Sequence, residues 1–138
     1  MNHKILFVED DQDDVFLIER ACKTAGLDER RGFLHDGKAA VDYLAEAMGG
    51  SLPALIFLDL NMPLMGGLEF LRWMRAEVSF ENIPVLVLTT SENPQDIKSA
   101  YQAGANAYLV KPTAIAEFAK MIGCATQFWL DFNRMART

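Results

Sequence analysis

The sequence predicts an α/β sandwich, a parallel sheet with helices packed on it through right-handed crossovers. Three observations point there. Short unbroken apolar runs recur between turn and polar residues, as expected of strands buried on both faces. Stretches with helical apolar spacing alternate with these runs, five times over, through short connections. Four of the runs also end on chemically equipped side chains. Ile5-Leu6-Phe7-Val8 ends in Glu9-Asp10-Asp11, and Leu55-Ile56-Phe57-Leu58 in Asp59. Val85-Leu86-Val87-Leu88 ends in Thr89-Thr90-Ser91, and Ala107-Tyr108-Leu109-Val110 in Lys111-Pro112. Parallel strands would carry these acids, hydroxyls and one lysine to a single rim, the edge at which open α/β sheets bind ligands.

Residues 4–9 are expected as the first strand and 12–26 as a helix burying Ile18, Ala21, Cys22 and Ala25, stopped by Gly26. Residues 31–35 read as a more polar strand suited to a sheet edge. Asp36-Gly37 turns the chain into a helix carrying Ala40, Val41 and Leu44, ended by Gly49-Gly50. The central strand covers 54–59 and a loop follows through Gly67. A third helix then spans about 67–78, with Phe70, Leu71, Met74 and Val78 apolar. Pro84 opens the fourth strand, where a missing N–H is tolerated. Asn93-Pro94-Gln95-Asp96 is a strong helix start, and that helix runs to Gly104. The fifth strand is 107–110.

A long final helix is expected from about 114 to 132 or beyond, reaching about 135. Ile115, Phe118, Ile122, Ala125, Trp129 and Phe132 form one stripe along it, accounted for by packing on the sheet. Met121, Cys124, Phe128 and Met135 form a second, interrupted by Asp131. A helix outside a sheet needs one apolar face, so a second implies a partner. A homodimer through helix five and the adjoining helix-four and strand-five surface is the expectation. The alternatives are a wide stripe wrapping onto the neighbouring helix and a tail folded over it.

At 138 residues the chain reads as a single domain, 1–138, with a core at about 4–125. No apolar run approaches a membrane span. The start, Met1-Asn2-His3-Lys4, passes straight into a strand without room for a signal peptide, so the cytoplasm is the expected location. The net charge of −6 and the lack of a basic run argue against nucleic acid as a partner. Cys22 and Cys124 lack metal-ligand spacing and are expected as buried thiols.

The acids at the rim carry the chemistry. Asp13 and Asp14 are explained by the helix N-terminus, which favours negative charge. Glu9 and Asp10 are not, because they end a buried strand facing Asp59. Three converging carboxylates repel one another unless a divalent cation sits among them, and Mg²⁺, a hard ion that takes oxygen ligands, fits. Asp59 can then act as a nucleophile toward phosphorus and form an acyl phosphate. Lys111 would neutralise charge on the phosphoryl oxygens and the Thr89 hydroxyl would donate to one of them.

Taken as an ordered set, the motifs resemble the receiver domain of two-component response regulators over roughly residues 4–125. They are Ile5 to Asp11, Asp36-Gly37, Leu58-Asp59-Leu60-Asn61-Met62-Pro63, Gly66-Gly67, Leu88-Thr89-Thr90-Ser91, Gly104-Ala105 and Tyr108-Leu109-Val110-Lys111-Pro112. The resemblance implies a flavodoxin-like (βα)5 doubly wound sandwich with strand order 2-1-3-4-5. It implies Asp59 as phosphoacceptor, with Asp10, Asp59 and the Asn61 backbone carbonyl as metal ligands and Glu9 supporting the metal through water. Lys111 resembles the lysine that meets the phosphoryl group, and Thr89 with Tyr108 the switch pair. The donor would be a sensor histidine kinase or a phosphotransfer protein. Leu88 to Ser91, Ser79-Phe80-Glu81-Asn82 and Phe128-Trp129-Leu130 resemble single-domain regulators paired with phytochrome-type kinases.

Two departures stand out: Glu9 where many receivers carry Asp, and Thr113 where many carry an aromatic. The main rival is a haloacid-dehalogenase-like phosphatase, which also forms an aspartyl phosphate. It needs a second aspartate two residues after the nucleophile, and that residue is Asn61. A receiver without chemistry conflicts with the intact Asp10, Asp59, Thr89 and Lys111 set. A nucleotide-binding domain conflicts with the acidic loop after the first strand.

Overall fold

The computed structural model describes residues 5–136; Lys4, expected to open the first strand, and the rest of the Met1-Asn2-His3-Lys4 start lie outside the described residues. Five strands, β1 (Ile5–Val8), β2 (Arg31–Leu34), β3 (Leu55–Leu58), β4 (Val85–Thr89) and β5 (Ala107–Val110), alternate with five helices. These are α1 (Gln12–Thr24), α2 (Gly37–Ala47), α3 (Gly67–Arg75), α4 (Pro94–Ala103) and α5 (Ile115–Thr126). All strands pair in parallel, in the order β2-β1-β3-β4-β5. The flavodoxin-like expectation therefore holds.

Strand alternation divides the core into two layers. On one face Leu6, Val8, Ile56, Leu58 and Val85 meet Ala40 and Leu44 of α2, Phe70, Leu71 and Met74 of α3, and Ala103 of α4. On the other, Ile5, Phe7, Leu55, Phe57, Leu86 and Leu88 meet Ile18, Ala21 and Cys22 of α1 and Phe118 and Ile122 of α5. The Phe7 ring stacks on Phe33 at 5.3 Å and on Phe57 at 4.8 Å, tying β2, β1 and β3 together. Side-chain caps start three helices where the sequence places them: Asp11 accepts from the Asp14 N–H, Asp36 from Ala39 and Asn93 from Gln95. No helix among the described residues is long and apolar enough to cross a membrane.

Several helix ends differ from expectation, each for a local reason. Helix α1 closes at Thr24, with Leu27 donating to the Cys22 carbonyl and Gly26 to that of Lys23. This paired closure swings Leu27 into the core and leaves Ala25 exposed at the cap. Helix α3 stops at Arg75, and a short 3₁₀ turn, Val78–Phe80, buries Phe80 while Val78 is exposed. Arg75 fixes that corner by donating to the carbonyls of Gly104 (3.0 Å) and Phe80 (3.1 Å) and to Asn106 Oδ1 (2.9 Å).

The final helix departs most from the sequence reading. It does not run from 114 to 135. Regular α-helix ends at Thr126, whose hydroxyl donates to the carbonyls of Ile122 (2.9 Å) and Gly123 (3.0 Å). Wider π turns continue over Gln127–Phe132, after which Asn133 is extended. The wider turns shift the phase of the stripe. Phe118 and Ile122 are buried and Trp129 packs on the core, but Phe132, past the shift, faces solvent, as does Ile115 at the opening turn of α5. Met135 leaves the helix altogether and borders a cavity with Leu52, Pro53, Ile83 and Pro84 at the foot of β3 and β4. Cys22 is buried as expected, whereas Cys124 is exposed.

Candidate functional site

The parallel register sets the height of the reactive groups. Val8 pairs with Leu58, Leu58 with Val87, and Thr89 with Val110, so the residues ending each strand emerge at one rim. Backbone hydrogen bonds continue the ladder past the strands: Asp59 donates to Val8 (3.0 Å), Glu9 to Leu34 (2.9 Å) and Lys111 to Thr89 (2.7 Å).

At this rim Glu9, Asp10 and Asp59 each offer a carboxylate oxygen within 4.8 Å of the others. Glu9 and Asp59 are buried. The Lys111 ammonium, only 5% exposed, lies 2.6 Å from Glu9 Oε1, 2.7 Å from Asp14 Oδ2 and 3.8 Å from Asp59 Oδ2. Asn61 is exposed, with its N–H 3.4 Å from Asp59 Oδ1. Asp10, Asp14, Asp59, Asn61 and Lys111 border a cavity of about 220 Å³.

The Thr89 hydroxyl is fully buried and has no hydrogen-bond partner. A buried hydroxyl without a partner is costly, so a ligand able to accept from it would be favoured. The half-buried Tyr108 donates its phenolic proton to the Ser91 carbonyl at 2.9 Å, which anchors the ring to the loop after β4. It is thus Thr90 and not Thr89 that borders the cavity, and Tyr108 is held on Ser91, whereas the predicted carboxylates and Lys111 converge. Asp14 was not expected among them: its carboxylate reaches Lys111 as well as standing in the first turn of α1. Its position four residues after Asp10 is the only signal in the sequence.

Crowding shifts the titration of these groups. Burial, reinforced by the hydrogen bond and negative charge of Asp59 and opposed by Lys111, pushes Glu9 up to about 8. For Lys111 burial acts to lower the pKa, but Asp14, Glu9 and Asp59 outweigh it and the ammonium is held above its ordinary range. A carboxyl with a raised folded-state pKa adds stability below its unfolded value and loses it as pH rises through the folded value. The metal-free chain is therefore expected to lose stability between about pH 4.5 and about 8, and Glu9→Gln to flatten that decline. Thermal unfolding in chelator across this range checks it, and equal slopes for both proteins would remove Glu9 as the cause.

A family model of the response regulator receiver domain matches residues 5–123. The chain belongs to this family. Among its relatives, the response regulator Rcp1 of Synechocystis is 37% identical over 130 residues, which cover 92% of this chain and 88% of Rcp1. The probable methanogenesis regulatory protein FilR2 of Methanothrix harundinacea is 39% identical over 132 residues, covering 94% of this chain and 85% of FilR2. The phosphorylated cyanobacterial phytochrome response regulator RcpA superposes with a TM-score of 0.88 at 31% identity, over 99% of this receiver and all of RcpA. The Mn²⁺-bound form of Rcp1 superposes with a TM-score of 0.84 at 35% identity, over 96% and 98% of the two chains.

Receivers of this kind are signalling switches, and the phosphatase alternative finds no support. Position 61, where it needs a second acid, is Asn. The rim of this receiver has the donor set of a divalent cation site: three carboxylates, two of them buried, within reach of one ion. The four residues expected on a second α5 stripe do not form one face. Cys124 and Phe128 are exposed, Met121 is half-buried against the core, and Met135 sits at the foot of the sheet.

Proposed function

We propose that this receiver accepts a phosphoryl group on Asp59 from a sensor histidine kinase or phosphotransfer protein, in a Mg²⁺-dependent reaction, and signals through protein contacts. The observation that carries this reading is the meeting of buried Asp59 with Asp10 and Lys111 at one small cavity, with the Glu9 carboxylate in the same cluster. Asp59 attacks phosphorus, an Asp59 O–P bond forms, and the bond to the donor's histidine nitrogen breaks with its electron pair going to that nitrogen. Asp10, Asp59 and the Asn61 backbone carbonyl would hold the ion directly and Glu9 would support it, through water. When bound, the ion screens the acids and neutralises phosphoryl charge. Lys111 supplies the second positive charge, and the partnerless Thr89 hydroxyl donates to a phosphoryl oxygen. Drawing Thr89 toward the phosphoryl group frees space for Tyr108 to leave Ser91 and turn inward, which reshapes the α4-β5-α5 surface.

The likeness to the phytochrome response regulator RcpA supports a phytochrome-type kinase as donor, and the chain is read as one cytoplasmic receiver domain, 1–138. Acetyl phosphate with Mg²⁺ should add one phosphoryl group by intact mass, and chelator should prevent it. Mg²⁺ titration of Asp10→Ala should show at least a tenfold loss of affinity, while Asp13→Ala, on the exposed turn of α1, should stay close to wild type. Equal loss in both would mean a diffuse acidic patch.

We also read this receiver as a homodimer through α5 and the adjoining α4-β5 surface. Phe128 supports it: the ring is 51% exposed and set edge-on against Trp129 at 5.4 Å, beside exposed Cys124. Burying one Phe contributes roughly 2 kcal/mol, and a two-fold interface counts it twice. Phe128→Asp should therefore weaken association by roughly two to three powers of ten without touching the rim. Sedimentation with and without phosphorylation checks it, and a wild-type monomer in both states at high micromolar concentration would end the dimer reading.

A further inference from the structure

The Lys111 ammonium does not sit on Asp59. Its two short contacts go to Glu9 (2.6 Å) and Asp14 (2.7 Å), and the 3.8 Å to Asp59 Oδ2 is beyond hydrogen-bond length. Asp14 is well placed to hold the lysine there. It stands in the first turn of α1, and its backbone N–H is locked by the Asp11 side chain at 3.0 Å. Its carboxylate therefore reaches Lys111 from a fixed base across the mouth of the cavity that also holds Asp59. An ammonium has three N–H donors, and the short contacts occupy two of them. One donor remains for a phosphoryl oxygen on Asp59, and the two anions on the other donors share the ammonium's charge with it.

We propose that Asp14 is a positioning residue that tethers Lys111 toward α1, so that an incoming phosphoryl group must compete with it for the lysine. The proposal rests on Asp59 being the acceptor. The tether slows phosphorylation because Asp14 draws on the same ammonium charge that must meet transition-state charge on the phosphoryl oxygens. Asp14 itself makes no bond to the reacting atoms. The backbone cap survives a side-chain change, so Asp14→Asn removes the charge without removing the start of α1.

The test combines two readouts. Phosphoryl uptake from limiting acetyl phosphate at saturating Mg²⁺ should be roughly two- to fivefold faster in Asp14→Asn than in wild type, the span of a partly exposed ion pair. Asp14→Glu, which keeps the charge, should return toward the wild-type rate. In a Lys111→Ala background the same Asp14→Asn change should have little effect. An equal gain there would mean that Asp14 acts by repelling the donor directly and would overturn the tether, as would an unchanged or slower Asp14→Asn. The second readout needs no phosphorylation: the Lys111 side-chain ammonium signal in NMR should shift in Asp14→Asn but not in Asp13→Asn. If the wild-type chain takes up no phosphoryl group, the acceptor reading fails by itself. The ammonium signal then decides the tether, an unshifted signal overturning it and a shifted one upholding it.

Discussion

Asp59→Asn is expected to take up no phosphoryl group from acetyl phosphate and Mg²⁺, where wild type takes up one. The amide is shaped like the carboxylate but is not a competent nucleophile toward phosphorus, so uptake should fall to background rather than merely slow. The neighbours do not offer an easy substitute. Glu9, within 4.8 Å of Asp59, is buried and engaged by Lys111 at 2.6 Å, and Asp10 belongs to the same crowded cluster. The substitution should leave the fold intact, because it removes one of several like charges from a buried rim. Without the Asp59 charge and its hydrogen bond, Glu9 should also titrate lower, so metal-free stability should vary less with pH across pH 4.5–8. Intact mass decides the main outcome. One phosphoryl group on a folded Asp59→Asn protein would move the acceptor elsewhere.

The central strands and the rim were legible because burial on both faces leaves a continuous apolar run, and four of the runs end on acids, a hydroxyl or a lysine. Asp59, Glu9, Thr89 and Lys111 could be ranked together from that alone. Strand order could not, since polarity marks 31–35 as an edge strand but the four apolar runs do not state which neighbours which; the order came from the motif set. The helix ends were harder. Gly26 marked the close of α1, but only the paired hydrogen bonds to Cys22 and Lys23 show that Ala25 turns outward and Leu27 inward. In α5 the apolar spacing continues past Thr126, yet hydroxyl bonds back to Ile122 and Gly123 precede a change of helical pitch that regular spacing cannot register. Asp14 was hidden for a different reason. Its local role at the start of α1 accounts for an acid there, and nothing local reveals that the arm of Lys111, 97 residues away, lies across it.

Gly67→Ala is expected to damage both the fold and the site, by way of a single methyl group. Gly67 opens α3 immediately after the loop from Asp59, and its N–H donates to the Leu60 carbonyl at 3.1 Å. A Cβ at this position would run into the Asp59 carbonyl oxygen and stand 2.8 Å from the Leu60 Cα. Both are backbone atoms, so no side chain can rotate away, and either α3 or the Asp59 segment must shift. Overpacking of this kind costs roughly 1–3 kcal/mol and sits at the upper end where the obstacle is backbone. For a chain of this size that is a fall of roughly 10 °C in Tm. Because the obstructed atom belongs to Asp59, phosphoryl uptake should fall alongside stability, even at temperatures where the variant is folded. Gly123→Ala provides the contrast. That glycine lies inside α5 with nothing within 4 Å of the position of its Cβ, so alanine should raise stability by roughly 0.5–1 kcal/mol and leave uptake unchanged. Thermal unfolding and intact mass on the two variants read both effects. A Gly67→Ala protein with wild-type Tm and wild-type uptake would mean that the close approach of α3 to Asp59 does not constrain the site.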